Sequence, residues 1–144
     1  MAVGTFAPAS PAALGATMRV MTNIDQPEAA TDATLVTRAA SDALAWHPLE
    51  PFDRVDYKLL WRSGKSVAGI MRVGPGGSVS PHTHQRTHHH LWVLEGTAEM
   101  LGERVGPGTY LHVPAGVEHG ISDPGDGGCT FLYLYLREPD AAAT

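Results

Sequence analysis

The sequence contains one cysteine, Cys129, in 144 residues. A single thiol closes no internal disulfide and builds no thiolate metal cluster, so Cys129 reads as a small buried hydrophobe beside a strand. No uninterrupted apolar run is long enough to cross a bilayer. The Ala- and Pro-rich start, Met1 to Leu14, lacks the basic opening and continuous apolar core of a signal peptide. A cytoplasmic protein with no membrane partner is expected. Basic runs are missing too: Lys and Arg number 10 against 15 Asp and Glu, for a formal net charge of -5. Without a basic stripe or a helical DNA-reading signal, nucleic acid is not an expected partner. Charged residues make up only 17% and hydrophobic residues 43%, a globular balance, and the length suits one domain.

Strand–helix alternation is also absent. Residues 1–45 form an N-terminal arm of Ala, Thr, Pro and Asp, in which Thr34 to Ala45 reads as a short helix or an edge strand. The arm is expected to pack on the main domain or on a partner subunit. From Trp46 the composition changes. Tyr57, Leu59 and Trp61 alternate with Lys58, Leu60 and Arg62, as in a half-buried strand. Val67 to Val73, His90 to Leu94, Thr97 to Leu101, Tyr110 to Val113 and Phe131 to Leu136 follow as further strands. Gly/Pro turns such as Gly74-Pro75-Gly76-Gly77 and Pro114-Ala115-Gly116 separate several of them. In the last strand both faces are apolar, which predicts burial on both sides. Many short strands between such turns predict an all-β sandwich or barrel over 46–138, with a short tail at 139–144.

Histidine is the residue in excess. There are eight, at 47, 82, 84, 88, 89, 90, 112 and 119, and seven lie between 82 and 119. Side chains two apart on a strand share a face, so His82 and His84 aim at one point. His89 reaches that point across a short turn, and His119 closes it from a distant segment. Neutral imidazole suits zinc, iron, nickel and copper. His47 lies outside this cluster and reads as structural. His112 shares a strand face with Tyr110 and is a candidate to line the pocket, or equally a hydrogen-bonded structural histidine.

These residues resemble the cupin superfamily. Gly76, His82, His84 and Gly96 fit the first cupin motif, with His89 at its Glu position. Gly108, Pro114, Gly116 and His119 fit the second motif, with Asp123 at its Asn position. The resemblance spans about Trp46 to Glu138 and implies a single cupin domain, a double-stranded β-helix or jelly-roll barrel. It implies metal ligation by His82, His84, His89 and His119. His88 satisfies the shorter spacing after His84, but only His89 also satisfies the spacing to Gly96. In that register His90 points out of the barrel. Asp123 carries no assigned role.

Four neutral ligands leave the double charge of a divalent metal uncompensated, which makes it a stronger Lewis acid that favours anionic ligands. In a six-coordinate geometry two positions stay open, which suits a 1,3-dicarbonyl chelating as its enolate. A four-histidine set is similar to that of cupin-type cyclases of aromatic polyketide biosynthesis. That resemblance implies zinc, with iron(II) or nickel(II) as alternatives, and a small-molecule polyketide substrate. The implied reaction is aldol-type ring closure of a poly-β-keto chain, then dehydration, with His112 as the candidate base. A second expectation is an Fe(II)-dependent dioxygenase acting on a β-diketone or hydroxyacetophenone, since tetrahedral geometry is the usual habit of zinc. A third is a non-catalytic small-molecule-binding cupin. Exposed edge strands need covering, and a homodimer is expected.

Overall fold

The computed structural model describes residues 40–139, and the arm residues 1–39 and tail residues 140–144 lie outside the described residues. Among the described residues ten strands carry the fold: β1 (His47–Pro48), β2 (Val55–Ser63), β3 (Ser66–Val73), β4 (Val79–His82), β5 (Thr87–Gly96), β6 (Ala98–Met100), β7 (Glu103–Val105), β8 (Tyr110–Val113), β9 (His119–Ile121) and β10 (Cys129–Arg137). Of the segment read as helix or edge strand, Ser41–Ala43 is one 3-10 turn and 34–39 lies outside the described residues. Among the described residues no helix is long and apolar enough to cross a membrane.

One six-stranded sheet runs β1-β2-β3-β10-β5-β8, and the pairs β4-β9 and β6-β7 complete the all-β barrel. Among the described residues the strand pairings within these sheets are antiparallel. Residues paired across antiparallel strands share a face, so the register sorts the interior into rows. Val55, Val73, Cys129 and Gly96 form the first row, and Tyr57, Met71, Phe131 and Val93 the second. Leu59, Gly69, Tyr133 and Leu91 form the third. These rows are the core: Leu59, Val73, Val93, Phe131 and Tyr133 are fully buried. Each such aliphatic side chain contributes about 1.5–3 kcal/mol by leaving water. Gly69 is small because Tyr133 needs the space, since a Cβ there would lie 2.4 Å from the Tyr133 hydroxyl oxygen. Cys129 is a free, buried thiol, pushed up to about 11 by burial.

Two expectations are corrected by the register. β10 buries one face fully, through Cys129, Phe131, Tyr133 and Tyr135, while Leu132 and Leu134 are half-buried and Leu136 is exposed. In β2 the simple alternation breaks. Leu59 pairs with Gly69, but Trp61, not Leu60, takes the next partner, Ala68. This bulge adds one residue to β2. Trp61 therefore moves to the outer face with Ala68, and Arg62 moves to the inner face opposite Val67.

The fourth inner row is Arg62, Val67, Tyr135, His89 and Val113. It lies at the end of the barrel opposite Val55 and Cys129. There the packing changes from aliphatic to imidazole.

Candidate metal centre

Four histidines meet at this end. His82 ends β4 and pairs directly with His119, the first residue of β9. His84 lies two residues beyond β4, and its carbonyl accepts a 2.8 Å hydrogen bond from the Gly116 N–H. The Pro114-Ala115-Gly116 turn, with Gly116 at φ 82°, so ties His84 to the segment that carries His119. His89 comes from β5, after a turn at Gln85-Arg86 that is held to the segment following β10: Arg86 donates from Nη2 to the Pro139 carbonyl, and its own carbonyl accepts from the Glu138 N–H.

His82, His84 and His119 each offer a ring nitrogen, and these atoms lie within 4.8 Å of one another. The Nε2 atoms of His82 and His84 are 3.1 Å apart. His89 joins through His119, with its Nδ1 3.2 Å from His119 Nε2 and the ring centroids 5.1 Å apart. Tyr135 packs on His84 and His89 at centroid distances of 5.0 and 4.4 Å. All four imidazoles are buried, and His119 is the most accessible at 8%. A hollow of about 310 Å³, lined by Pro81, Glu99, Glu118 and His119 among others, reaches it from the β4–β9 side.

Backbone carbonyls fix two of the tautomers. His82 donates from Nδ1 to the Ser80 carbonyl at 2.7 Å, and His119 from Nδ1 to the Val117 carbonyl at 3.0 Å. Each Nε2 is thereby left as an unprotonated lone pair turned into the cluster, and a carbonyl on the far nitrogen is how proteins orient metal-binding imidazoles. His84 Nδ1 and His89 Nε2 are buried with no hydrogen-bond partner. A buried polar atom without a partner costs about 1–3 kcal/mol. Oriented lone pairs, buried unpartnered nitrogens and the mutual closeness of His82, His84 and His119 fit one divalent cation, and His89 lies against His119, outside that set of three.

Burial first, and then neighbouring imidazoles, holds these rings neutral. His82 is lowered to about 4 and His84 to about 2. His89 falls well below the ordinary histidine range through burial and then His119, and burial also lowers His119. Neutral rings are the metal-binding form.

This has a consequence for stability. Below pH 6.5 the unfolded chain takes up protons that the buried rings refuse, so their contribution is full above that pH and is lost as the pH falls toward the folded values. His82 alone is expected to cost the metal-free protein roughly 2 kcal/mol between pH 7.5 and 5, at 1.36 kcal/mol per pKa unit. Urea unfolding of chelator-stripped protein at the two pH values checks this, and equal midpoints would contradict neutral burial.

The other histidines lie elsewhere. His88 and His90 alternate with His89 and project from the opposite, outer face of β5. The structure does not bring His112 to the metal end, because it pairs with His90 on that outer face and is exposed. Its ring stacks on His90 at 4.6 Å, and its Nε2 is 3.0 Å from His88 Nδ1, while His88 Nε2 contacts Glu138 at 2.9 Å. His112 and Tyr110 do share a face, but it is the outer one. Val113 is the β8 side chain in the His89 row. Asp123 is bound to Arg104 at the surface. Tyr135, fully buried against two of the imidazoles, forms a wall of the cluster, where the apolar pattern of the last strand predicts only burial.

The ChrR cupin-like domain model matches residues 34–139. A search of curated proteins returned no match. Among solved structures, the polyketide cyclase RemF from Streptomyces resistomycificus is similar at 26% identity and TM-score 0.63, over 73% of this chain and 83% of that one. KdgF from a Halomonas species is similar at 22% identity and TM-score 0.57, over 69% and 94%. A structure of Rhodobacter sphaeroides SigE in complex with the anti-sigma ChrR matches at 23% identity and TM-score 0.54, over 65% of this chain and 49% of that one. These last two support the fold alone. With the all-β barrel and the family match over most of its length, the chain belongs to the ChrR cupin-like domain family.

Proposed function

We propose that this protein is a metal-dependent cyclase of a poly-β-keto chain, with His82, His84, His89 and His119 as ligands of one zinc ion. The observation that carries the reading is the buried imidazole cluster, with two lone pairs set by backbone carbonyls. Among the described residues, the group able to share an ion contains no carboxylate. When bound, the metal supplies Lewis acidity that no ligand charge offsets. The four histidines would hold it, the Tyr135 ring packs on His84 and His89, and the low polarity of that buried surrounding strengthens every charge interaction inside. Such a site favours a substrate that enters or becomes anionic, as a 1,3-dicarbonyl does. Ring closure forms a carbon–carbon bond and dehydration releases one water, with no net redox change. The likeness to RemF, a polyketide cyclase, supports this choice over other cupin chemistries.

The test is an assay of zinc-loaded protein on an unreduced poly-β-ketone, followed by mass spectrometry and an oxygen electrode. The expected product is cyclised and lighter by water, with no oxygen uptake. Oxygen consumption with an oxygenated, cleaved product would move the protein to the Fe(II) dioxygenases. Binding without turnover would make it a small-molecule-binding cupin.

A further inference from the structure

The β2 bulge turns a cation toward the metal end of the barrel. Arg62 belongs to the inner row that continues through Val67 and Tyr135 to His89. Three strand spacings separate Arg62 from His89, roughly 14 Å along a curved sheet. Between Arg62 and Tyr135 stands only Val67, a short side chain that leaves room for a long one to lie across it. Thr87 faces the same way, two residues from His89 on one strand face, and its Oγ1 is buried with no hydrogen-bond partner. Apart from the imidazoles, the polar side chains of the inner surface at this end are Arg62, Thr87 and Arg137, which pairs with Thr87, and Arg62 is the cation whose own row contains His89. We propose that Arg62 forms an oxyanion-binding subsite beside the metal centre and makes the site selective for the enolate of a 1,3-dicarbonyl chain.

The inference rests on the metal-centre reading above and adds the residue that recognises substrate charge. A guanidinium presents a planar fork of donors that pairs two-pronged with neighbouring oxygens, which an ammonium cannot do. With four neutral ligands around a dication, a guanidinium in the same low-polarity enclosure raises the preference for an anion further. Trp61 would hold this inner position if β2 ran without its bulge.

Metal-loaded full-length protein is titrated calorimetrically with acetylacetone, and metal content is measured in parallel. Arg62→Gln is expected to keep one metal per chain and to bind the dione at least tenfold more weakly, with part of the affinity recovered in Arg62→Lys. Trp61→Ala, altered on the outer face, is expected to bind the dione like wild type. Wild-type affinity in Arg62→Gln, or a loss in Trp61→Ala alone, would overturn the subsite while leaving the metal centre standing. Metal loss in Arg62→Gln would also overturn it, because the residue would then serve the ligands and not the substrate. If metal-loaded wild type fails to bind the dione at all, the cyclase reading falls and the subsite with it.

Discussion

His89→Ala is expected to weaken metal binding at least a hundredfold, while His90→Ala leaves it unchanged. The two residues are neighbours on β5 and differ only in the face they present. His89 is 3% exposed and lies against His119 and Tyr135. His90 stacks on His112 and contacts the Tyr110 hydroxyl at 2.7 Å on the outer surface. Loss of an outer partner of a metal ligand commonly costs 10–100-fold in affinity, and loss of a ligand itself costs more. Metal analysis after dialysis against a graded chelator reads both variants. Equal loss would show the wrong face, and full retention in His89→Ala would show that His82, His84 and His119 hold the ion alone. His89→Glu extends the test. It should retain metal, because a carboxylate also ligates, but it cancels one unit of charge and should lower the affinity for acetylacetone.

The barrel and the clustering of histidines were legible because both are short-range patterns. Gly/Pro turns bound the strands, and the spacings around His82, His84 and His119 survive folding almost as read. Facing was less legible, because it is settled by partners far away in sequence. Tyr57, Leu59 and Trp61 alternate without a break, so nothing local announces the bulge. It appears only when Gly69 and Ala68 of β3 are set opposite consecutive inner and outer positions. His112 shows the same limit. Its alternation with Val113 was plain, but which of the two turns inward follows from pairing with His89 and His90. The short strands β4, β7 and β9 carry three or four residues each, too few for periodicity to declare them. The two orienting carbonyls, of Ser80 and Val117, were invisible to any reading of side-chain types.

Gly96→Ala is expected to destabilise the fold by about 4 kcal/mol or more, whereas Gly102→Ala costs about 1–2 kcal/mol. Both glycines adopt left-handed backbone, at φ 74° and 79°, and an L-residue pays about 1–2 kcal/mol for that conformation. Only Gly96 is also crowded. A Cβ there would lie 2.0 Å from the Gly128 carbonyl oxygen and 3.1 Å from Cys129 Cα, and both are backbone atoms that cannot swing away. At Gly102 no atom lies within 4 Å of that position. The clash falls where β5 ends against the start of β10, beside the register shift at Thr130/Phe131. Relieving it means moving the strand that carries His89 relative to the strand that carries Tyr135. Chemical denaturation of the metal-free variants gives the difference directly, and insoluble expression of Gly96→Ala beside soluble Gly102→Ala has the same meaning. Midpoints that agree within the strain both share would show that β5 can slide at this end. The spacing from His89 to Gly96 would then be a coincidence of sequence and not a constraint on where the imidazole points.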